Sequence, residues 1–524
     1  MKRIRIISII AFFSIMSNAM AQSPWPKTYN DDIDAPYLNI LESYDHGYLL
    51  SGSIKADYPR YNWLIKTDLN GEVLWEKLIG QGINTILLSG IGMNNSGDIY
   101  LSGSTTIEDA FGYADPMLMK INACGEKEWC SIFTTPDHPD YGFGLCTTSD
   151  GGCAMILGFT GEPFMGDRIC LARFNNLGDL LWKQCYNTAD SMKGNEVGKE
   201  LLLTPDNGFL ISGYCWHSNP EDTLAYLSPY YIKVDSLGVF EWERVSGQHP
   251  FNIEGKAWNT IINPDSNYYY SSISRYSRIM NDDTPALLKM DMMGDIVGVY
   301  NIAPPSELGA MFESQFLNDS TLVGCAAWGT ESSIIPKAVI VDTLGELLNQ
   351  QYLLDNIYFS YVRKSFDGKI LFYTQDYDEE SDQFDAYLFK LNQQLESDTL
   401  YNQLFNYDSL CPYQIVSDTI VQDNCGLIVG DQEIKAETNL TNILQIFPNP
   451  AGDYCIIEYD LSRFEGEATI SITDLYDRKL LSFNLENTHT RKTISLADLS
   501  AGIYFVNLIE NGTRKESVKL IVVR

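Results

Sequence analysis

Aromatic, histidine and acidic side chains are concentrated in a few long, irregular segments of the chain. Those that could contact a ligand are Tyr58, Tyr61, Trp216, His217, His249, Phe251 and Trp258. Aromatic planes stack on the apolar faces of sugar rings, and carboxylates accept hydrogen bonds from sugar hydroxyls. These segments therefore suit a sugar-binding site, but the same composition also fits solvated loops that pack on themselves.

A second candidate site is the acidic run that contains Asp376, Asp378 and Asp382. Carboxylate oxygens are the ligands that calcium prefers. The run lacks the glycine and the spacing of an EF-hand, so a solvated acidic loop is the favoured interpretation. Calcium is the only candidate cofactor.

Motifs of common catalytic sites are missing from the sequence. It contains no HExxH zinc motif, no G-x-S-x-G nucleophile turn, no phosphate-binding loop and no CxxC pair. These patterns mark zinc proteases, serine hydrolases, nucleotide-binding proteins and metal or redox sites. A non-catalytic function is therefore favoured.

One sequence unit recurs seven times between residues 36 and 400 and supplies the elements that must position these segments. Its first half is a turn and a short alternating strand, as in DHGYLLSGS from Asp45, and its second half is typified by WLIKTDLNGEVLW from Trp63. The turn glycines recur at intervals of about 50 to 60 residues, at Gly71, Gly125, Gly178, Gly238, Gly294 and Gly345. In the turn Asp68–Gly71, we expect the aspartate to accept backbone hydrogen bonds and the glycine to adopt a positive φ.

Each unit contains four short alternating stretches and no helical period, which predicts a four-stranded antiparallel sheet. Such sheets bury their faces by radial stacking, so residues 22–404 are predicted to form a seven-bladed β-propeller in an all-β protein. The segment Trp25–Tyr29 is similar to an outer strand and is expected to complete the seventh blade. The segment Ser397–Gln403 is the competing candidate. Turns between first and second strands are short, whereas the long connections leave the opposite face, where we expect the ligand residues.

The pattern Lys/Arg-x-Asp-x-x-Gly-x-x-x-Trp, as in Lys66–Trp75 and Lys233–Trp242, resembles the tryptophan-docking repeat of quinoprotein-like propellers. The resemblance implies structural tryptophans that wedge between blades, here Trp25, Trp75, Trp129, Trp182 and Trp242. Quinone-dependent dehydrogenases share the motif but carry a vicinal cysteine pair that this sequence lacks. A quinone cofactor is therefore not indicated.

Residues 1–21 have the features of a secretory signal peptide. Lys2, Arg3 and Arg5 precede the apolar run Ile6–Met16, which is shorter than the roughly 20 residues that span a bilayer. The 524-residue chain has a formal net charge of −33, which disfavours nucleic acids and anionic membranes as partners. We therefore expect an exported protein without a transmembrane segment.

Export through an oxidising compartment would allow disulfide bonds to form. Cys411 and Cys425 lie in a loop-rich segment, residues 405–442, and are predicted to pair with each other within this linker. Cys146 and Cys153 flank a turn and are a second candidate pair across a hairpin.

The last segment, residues 443–524, contains alternating strands that predict a small β-sandwich. Four motifs in it resemble the type A sorting domain of the type IX secretion system, and they contain Pro448, Asn449, Pro450, Asp474, Gly502, Tyr504 and Lys519. The resemblance implies recognition by the secretion machinery at the outer membrane. It also implies removal of the domain, with the remaining protein attached to the cell surface or released.

Together these patterns predict a secreted or surface-displayed propeller that acts as a binding or interaction module for a glycan or for a host or matrix protein. One alternative is a polysaccharide-active hydrolase or lyase that uses carboxylates and histidines of the long-connection face. Another is a structural scaffold of the cell surface.

Overall fold

The computed structural model describes most of the chain from residue 25 to residue 523. The described residues are 25–54, 61–80, 86–106, 114–134, 140–160, 167–186, 193–218, 225–247, 252–277, 282–304, 307–330, 333–353, 357–378, 383–403, 405–429, 444–452, 454–459, 461, 468–474, 478–485, 491–497, 499–511 and 513–523. The predicted signal peptide lies outside them. All regular secondary structure in these residues is β-strand. Within them no helix is long and apolar enough to cross a membrane.

The first three sequence units form groups of four strands in which consecutive strands pair antiparallel. The strands of these groups are β1 (Lys27–Glu42), β2 (Tyr48–Ile54), β3 (Tyr61–Thr67), β4 (Val73–Ile79), β5 (Ile86–Met93), β6 (Ile99–Thr106), β7 (Ala114–Ile121), β8 (Lys127–Thr134), β9 (Tyr141–Thr147), β10 (Cys153–Thr160), β11 (Asp167–Phe174) and β12 (Leu180–Cys185).

The next three units repeat this arrangement, and the seventh unit supplies three strands of its own. These strands are β13 (Lys193–Leu203), β14 (Phe209–Ser218), β15 (Ala225–Val234), β16 (Phe240–Val245), β17 (Gly255–Ile262), β18 (Tyr268–Ser277), β19 (Asp282–Asp291), β20 (Ile296–Asn301), β21 (Leu308–Asn318), β22 (Thr321–Thr330), β23 (Ser333–Asp342), β24 (Leu347–Tyr352), β25 (Ile357–Lys364), β26 (Ile370–Asp378) and β27 (Gln383–Leu391).

Strand β1 belongs to two units. Its first part pairs with β27, for example Lys27 with Leu388, and its second part pairs with β2, for example Ile40 with Leu50. The predicted pairing of the N-terminal strand with the seventh unit is therefore confirmed. The competing segment contributes only an isolated bridge between Leu391 and Ser397.

The first strand of each unit contacts the first strand of the next unit. The contacts run through β1, β5, β9, β13, β17, β21 and β25, and β25 contacts β1 in turn. We refer to these seven strands as the inner strands. The buried core lies between neighbouring sheets, as in the cluster that contains Ile156, Trp182 and Ile211 from the third and fourth units.

The turn that follows the third strand has the same hydrogen-bond pattern in all seven units. The Asp68 carboxylate accepts hydrogen bonds from the backbone N–H groups of Asn70 and Glu72, at 2.8 Å each, and Gly71 has a φ of 77°. The predicted turn is therefore confirmed. The residues that occupy the place of Asp68 in the other units are Asn122, Asn175, Asp235, Asp291, Asp342 and Asn392.

A charge pair links the third strand of a unit to the turn between its first and second strands. Lys66 Nζ lies 2.7 Å from the Asp45 carboxylate, and both side chains are buried. The same pair forms in four other units, between Lys120 and Asp98, Arg173 and Asp150, Lys233 and Asp206, and Lys390 and Asp367. The Lys/Arg of the sequence motif therefore pairs with the aspartate of a turn within its own unit.

Four of the five predicted structural tryptophans pack against the turn glycine of the next unit. The pairs are Trp25 with Gly71, Trp129 with Gly178, Trp182 with Gly238 and Trp242 with Gly294. Trp75 departs from the pattern, because its indole N–H donates to the Asp408 carboxylate at 3.2 Å. The corresponding place next to Gly125 is taken by Lys77 and Ile415.

Residues 405–429, which we call the strap, run along the outer strands of the first two units. The strap contributes β28 (Asp418–Ile420) and β29 (Gly426–Val429), which pair in parallel with β4 and β8. Lys77 Nζ donates to the carbonyl of Val416 at 2.7 Å. The strap therefore covers two sheet edges that would otherwise be open.

The strap carries two disulfide bonds, and both differ from the predicted pairing. Cys124 bonds to Cys411 and Cys130 bonds to Cys425, so the predicted pair of Cys411 with Cys425 is wrong. The extended strap spans two neighbouring sheets, which takes its two cysteines to different partners in the second unit.

The remaining cysteines also differ from expectation. The predicted pair of Cys146 with Cys153 is wrong, since both are free thiols. In the register of the hairpin, Cys146 lies opposite Ala154 and Cys153 lies opposite Thr147, so the two side chains leave opposite faces of the sheet. A third disulfide joins Cys170 to Cys185 directly across β11 and β12.

The C-terminal segment folds as two sheets that share one core, as predicted for a sandwich. Its strands are β30 (Leu444–Phe447), β31 (Tyr454–Tyr459), β32 (Ala468–Thr473), β33 (Lys479–Asn484), β34 (Arg491–Ser495), β35 (Gly502–Glu510) and β36 (Thr513–Val522). One sheet has the order β30-β31-β34 and the other β33-β32-β35-β36. The shared core includes Ile457, Ile470 and Val506.

Candidate functional site

All seven inner strands shift in register against the second strand of their unit. In three neighbouring ones, β13, β17 and β21, a charged or aromatic residue stands at the shift. The pairing register shifts between Gly198 and Glu200 in β13, between Ala257 and Asn259 in β17, and between Met311 and Glu313 in β21. A bulge leaves one residue out of the ladder and redirects its side chain. The extra residues are Lys199, Trp258 and Phe312.

The bulged residues belong to a cluster of basic and aromatic side chains from five strands. Trp258 and Phe312 meet edge to face, with ring centroids 5.6 Å apart. Lys199 Nζ lies 5.1 Å from the ring centroid of Phe143, and Lys256 Nζ lies 5.5 Å from that of Tyr214. We call these six residues the lysine–aromatic cluster, and all six are half-buried.

The two lysines of this cluster differ from the paired lysines of the repeat. No carboxylate among the described residues lies within ion-pair distance of Lys199 or Lys256. Burial lowers the pKa of Lys199, and the neighbouring positive charge of Lys256 lowers it further. The cluster therefore holds positive charge that the described part of the protein does not neutralise.

A second cluster, the carboxylate cluster, consists of Glu200, Glu313, Tyr361 and Arg363 from β13, β21 and β25. Arg363 donates to the Glu313 carboxylate, which also accepts the backbone N–H of Val362 at 2.7 Å. Glu313 thus joins two inner strands of different sheets. Asn259 does the same between β17 and β21, by accepting the N–H of Ser314 at 3.2 Å.

Glu200 is the unusual member of the carboxylate cluster. Burial raises its pKa to about 7, and the negative charge of Glu313 adds to this shift while Arg363 opposes it. A carboxyl group with such a pKa exchanges its proton near neutral pH. The charge of Lys199 interacts with Lys256, whereas that of Glu200 interacts with Glu313 and Arg363.

The predicted ligand residues are only partly brought together. Trp258 lies in the lysine–aromatic cluster. Trp216 lies on β14 and is 41% exposed, whereas His217 is buried with its Nδ1 3.0 Å from Ser228 Oγ. Tyr61 begins β3, but its side chain lies outside the described residues, as do Tyr58, His249 and Phe251.

The predicted calcium ligands cannot be assembled from the described residues. Asp376 and Asp378 belong to the backbone of β26, but their side chains are outside the description, and so is Asp382 entirely. In the described part of the chain, no group of three or more His, Cys, Asp or Glu side chains is placed to hold a metal ion.

The prediction of ligand residues considered the long connections and missed the inner strands. A signal was present in the sequence, because Lys199 and Glu200 are consecutive charged residues beside the apolar run Leu201–Leu203. Two adjacent charges interrupt a strand alternation, and a bulge accommodates that interruption.

Hydrogen bonds of the motif residues join the first and last strands of the C-terminal segment and occur in its turns. The Asn449 amide donates to the Lys519 carbonyl at 2.5 Å and accepts the N–H of Ile521 at 2.8 Å. The Tyr504 hydroxyl donates to the Ser500 carbonyl at 2.7 Å. The Asp474 carboxylate accepts the N–H of Arg478 at 3.0 Å. Gly502 begins β35, and Pro448 and Pro450 flank Asn449.

Comparison with known proteins identifies one segment by sequence. Residues 445–523 match the family described as the secretion system C-terminal sorting domain. No curated protein matches the chain.

Among solved structures, a propeller described as Dos1 is similar at 12% identity, over 83% of this chain and 94% of that one, with a TM-score of 0.36. A periplasmic gluconolactonase of Pseudomonas aeruginosa is similar at 10% identity, over 69% and 98%, with a TM-score of 0.39. An endo-arabinase of Bacteroides thetaiotaomicron is similar at 10% identity, over 45% and 89%, with a TM-score of 0.29. Likenesses this weak assign no activity to this chain.

The family match covers all four motifs of the C-terminal sandwich, from Pro448 to Lys519. A tail of this family implies that the protein is exported by the type IX secretion system and is secreted or displayed at the cell surface. Residues 445–523 are therefore a secretion system C-terminal sorting domain, and they follow an all-β region of four-stranded antiparallel sheets.

Proposed function

We propose that the protein is an exported binding module whose ligand site lies at the axis of a seven-bladed propeller. In this proposal residues 22–404 form the propeller, residues 405–442 link it to the tail, and residues 443–524 are the sorting domain. The closed order of contacts among the seven inner strands supports the blade count. The tail is removed after export, and the propeller stays at the surface or is released.

The observation that carries the proposal is the identity of the residues at the bulges of β13, β17 and β21. Every inner strand has such a shift, but in β5 the extra residue is the small Ser89. The bulges at Lys199, Trp258 and Phe312 place charged and aromatic side chains at a common, half-buried location. Bulges are typical of sites where a side chain must be redirected for function.

The long connections add to this site. Lys256 is the second residue of β17, and Trp216 pairs with Gly194 near the start of β13. Both therefore lie toward the ends of the sheets that carry the long connections. Trp216, together with Tyr58, Tyr61, His217, His249 and Phe251, is proposed to surround the opening.

A test is a glycan and matrix-protein array with the full mature chain, with and without calcium. We expect Trp258→Ala to abolish ligand binding on the array, while the melting temperature of the protein falls only slightly. Tyr352→Ala is the matched control, because Tyr352 is a similarly large aromatic, 57% exposed on the outer strand β24. Equal binding by the two variants would contradict the proposed location.

The carboxylate cluster supports a polysaccharide-active hydrolase as the second candidate. A carboxyl group with a pKa of about 7 next to an arginine-paired carboxylate is a combination suited to general acid–base catalysis. Turnover of an array ligand by the wild type, lost in Glu200→Gln with binding retained, would favour this candidate over a pure binding module.

A further inference from the structure

We infer that the lysine–aromatic cluster binds a negatively charged sugar, with Lys199 and Lys256 pairing to its carboxylate or sulfate group. The inference rests on the proposed binding function and names the class of ligand. None of the predicted ligand residues of the long connections supplies this basic charge.

The first argument is the charge of the cluster. Two like charges in a half-buried place repel each other, and the lowered pKa of Lys199 reflects both its burial and Lys256. An anion between the two ammonium groups would remove the repulsion and form charge-assisted hydrogen bonds. The paired lysines of the repeat, such as Lys66 and Lys233, are already neutralised by aspartates.

The second argument is that aromatic rings surround the two lysines. Phe143, Tyr214, Trp258 and Phe312 offer half-buried ring surface around the two lysines. An inorganic anion would gain little from these rings, whereas a sugar ring carries apolar C–H faces that pack on them. Rings and charges together therefore fit an anionic group attached to a sugar ring.

The third argument concerns the size of the ligand. The chain has 69 acidic and 36 basic residues, so its overall field repels long polyanions. A local pair of lysines can overcome this repulsion for one or two charges, because screening limits the field to about 8 Å at physiological salt. The expected ligand is therefore a short or terminal acidic sugar.

The test is isothermal titration calorimetry on the chain that still carries its sorting domain, with three probes of similar length. Oligogalacturonate carries carboxylates, a chondroitin sulfate oligosaccharide carries sulfates as well, and a xylo-oligosaccharide is neutral. We expect at least one acidic probe to bind, and Lys199→Gln or Lys256→Gln each to weaken its binding at least tenfold. Lys→Arg variants should recover most of the affinity, and the pattern between the two acidic probes identifies the anionic group.

Lys479→Gln is the matched control, because Lys479 is an exposed lysine of the sorting domain. Failure of both acidic probes to bind the wild type would overturn the inference. Binding that is lost in Trp258→Ala but unchanged in both lysine variants would overturn it while the proposed function stands. Binding of any probe that survives all three substitutions would overturn the proposed location as well.

Discussion

Single residues at the junctions between units determine how closely the sheets approach. The indole of Trp129 packs on Gly178, which has a φ of 91°, and a Cβ there would lie 2.8 Å from the indole. The indole N–H donates to the Asn176 carbonyl at 3.3 Å, and the ring stacks with Phe174. A glycine is therefore required at position 178 both for the positive φ of the turn and for the close approach of the Trp129 ring.

Trp129→Ala should destabilise the protein by about 3 kcal/mol, the lower end of the cost of deleting a large core aromatic, because Trp129 is half-buried. The change is measured as the shift in the urea unfolding transition. Trp216→Ala is the control and should cost less than about 1 kcal/mol, since Trp216 is 41% exposed. A shift for Trp129→Ala no larger than that control would refute the docking role.

At the scale of elements, the strap depends on covalent links more than on its own core. It contributes only two short strands, and Cys124–Cys411 and Cys130–Cys425 join residues 287 and 295 positions apart. Several of its apolar side chains, including Val416 and Leu427, are exposed. The disulfides therefore fix the strap to the second unit at two points, in addition to the packing of Ile415 and Ile420 in the core of the first two units.

Replacing all four strap cysteines by serine should release the strap, because a disulfide that closes a long loop contributes about 2 to 5 kcal/mol. Hydrogen exchange should then become fast for the amides of β28 and β29 and remain slow for β5 to β7. The matched control replaces Cys170 and Cys185, which are 15 positions apart within one hairpin. Strap amides that stay protected in the four-serine variant would show that strand pairing alone is sufficient.

Features that depend on residues close in sequence, or on the repeat, could be predicted, whereas other non-local features could not. The turn at Asp68 could be predicted because its hydrogen bonds join residues no more than four positions apart. The pairing of β1 with β27 could be predicted because Trp25–Tyr29 is similar to other outer strands. The path of the strap could not be predicted, since no repeat relates β28 or β29 to a partner strand. Its two cysteines are close in sequence, which favoured the wrong pairing with each other.

The candidate site was harder to predict for a related reason. The bulges at Lys199, Trp258 and Phe312 are shifts in pairing register, and side-chain alternation alone does not reveal where they fall. Trp258 was among the predicted residues because it is aromatic and close to a long connection. Lys199, Lys256 and Glu200 were not, because a charged residue in a strand gives the same sequence pattern whether it is solvated or turned toward a ligand.

At the scale of the whole molecule, the sorting domain contacts the fourth unit. Arg491 on β34 lies 3.5 Å from the Asp235 carboxylate, forms an ion pair with Glu241, and contacts Glu458 of its own domain at 2.9 Å. This contact is small and charged, so it resembles a transient rather than a permanent interface.

Deleting residues 443–524 should leave the protein in the periplasm, because all four sorting motifs lie in that segment. Cell fractionation with immunoblotting measures the outcome. Arg491→Gln is the control, since it removes the contact with the fourth unit but leaves the motifs, and it should be exported normally. Normal surface delivery of the truncated protein would contradict the assignment of the tail as the export signal.

The route of the strap also determines how tension passes through the molecule. A pull on the tail reaches residue 429 and then Cys425, whose bond to Cys130 transfers the load to β8 in the second sheet. The bond from Cys411 to Cys124 provides a second covalent anchor. The hydrogen bonds between β1 and β27 therefore lie outside the loaded path, and a protein tethered by its C-terminal end can bear force without opening that strand pair.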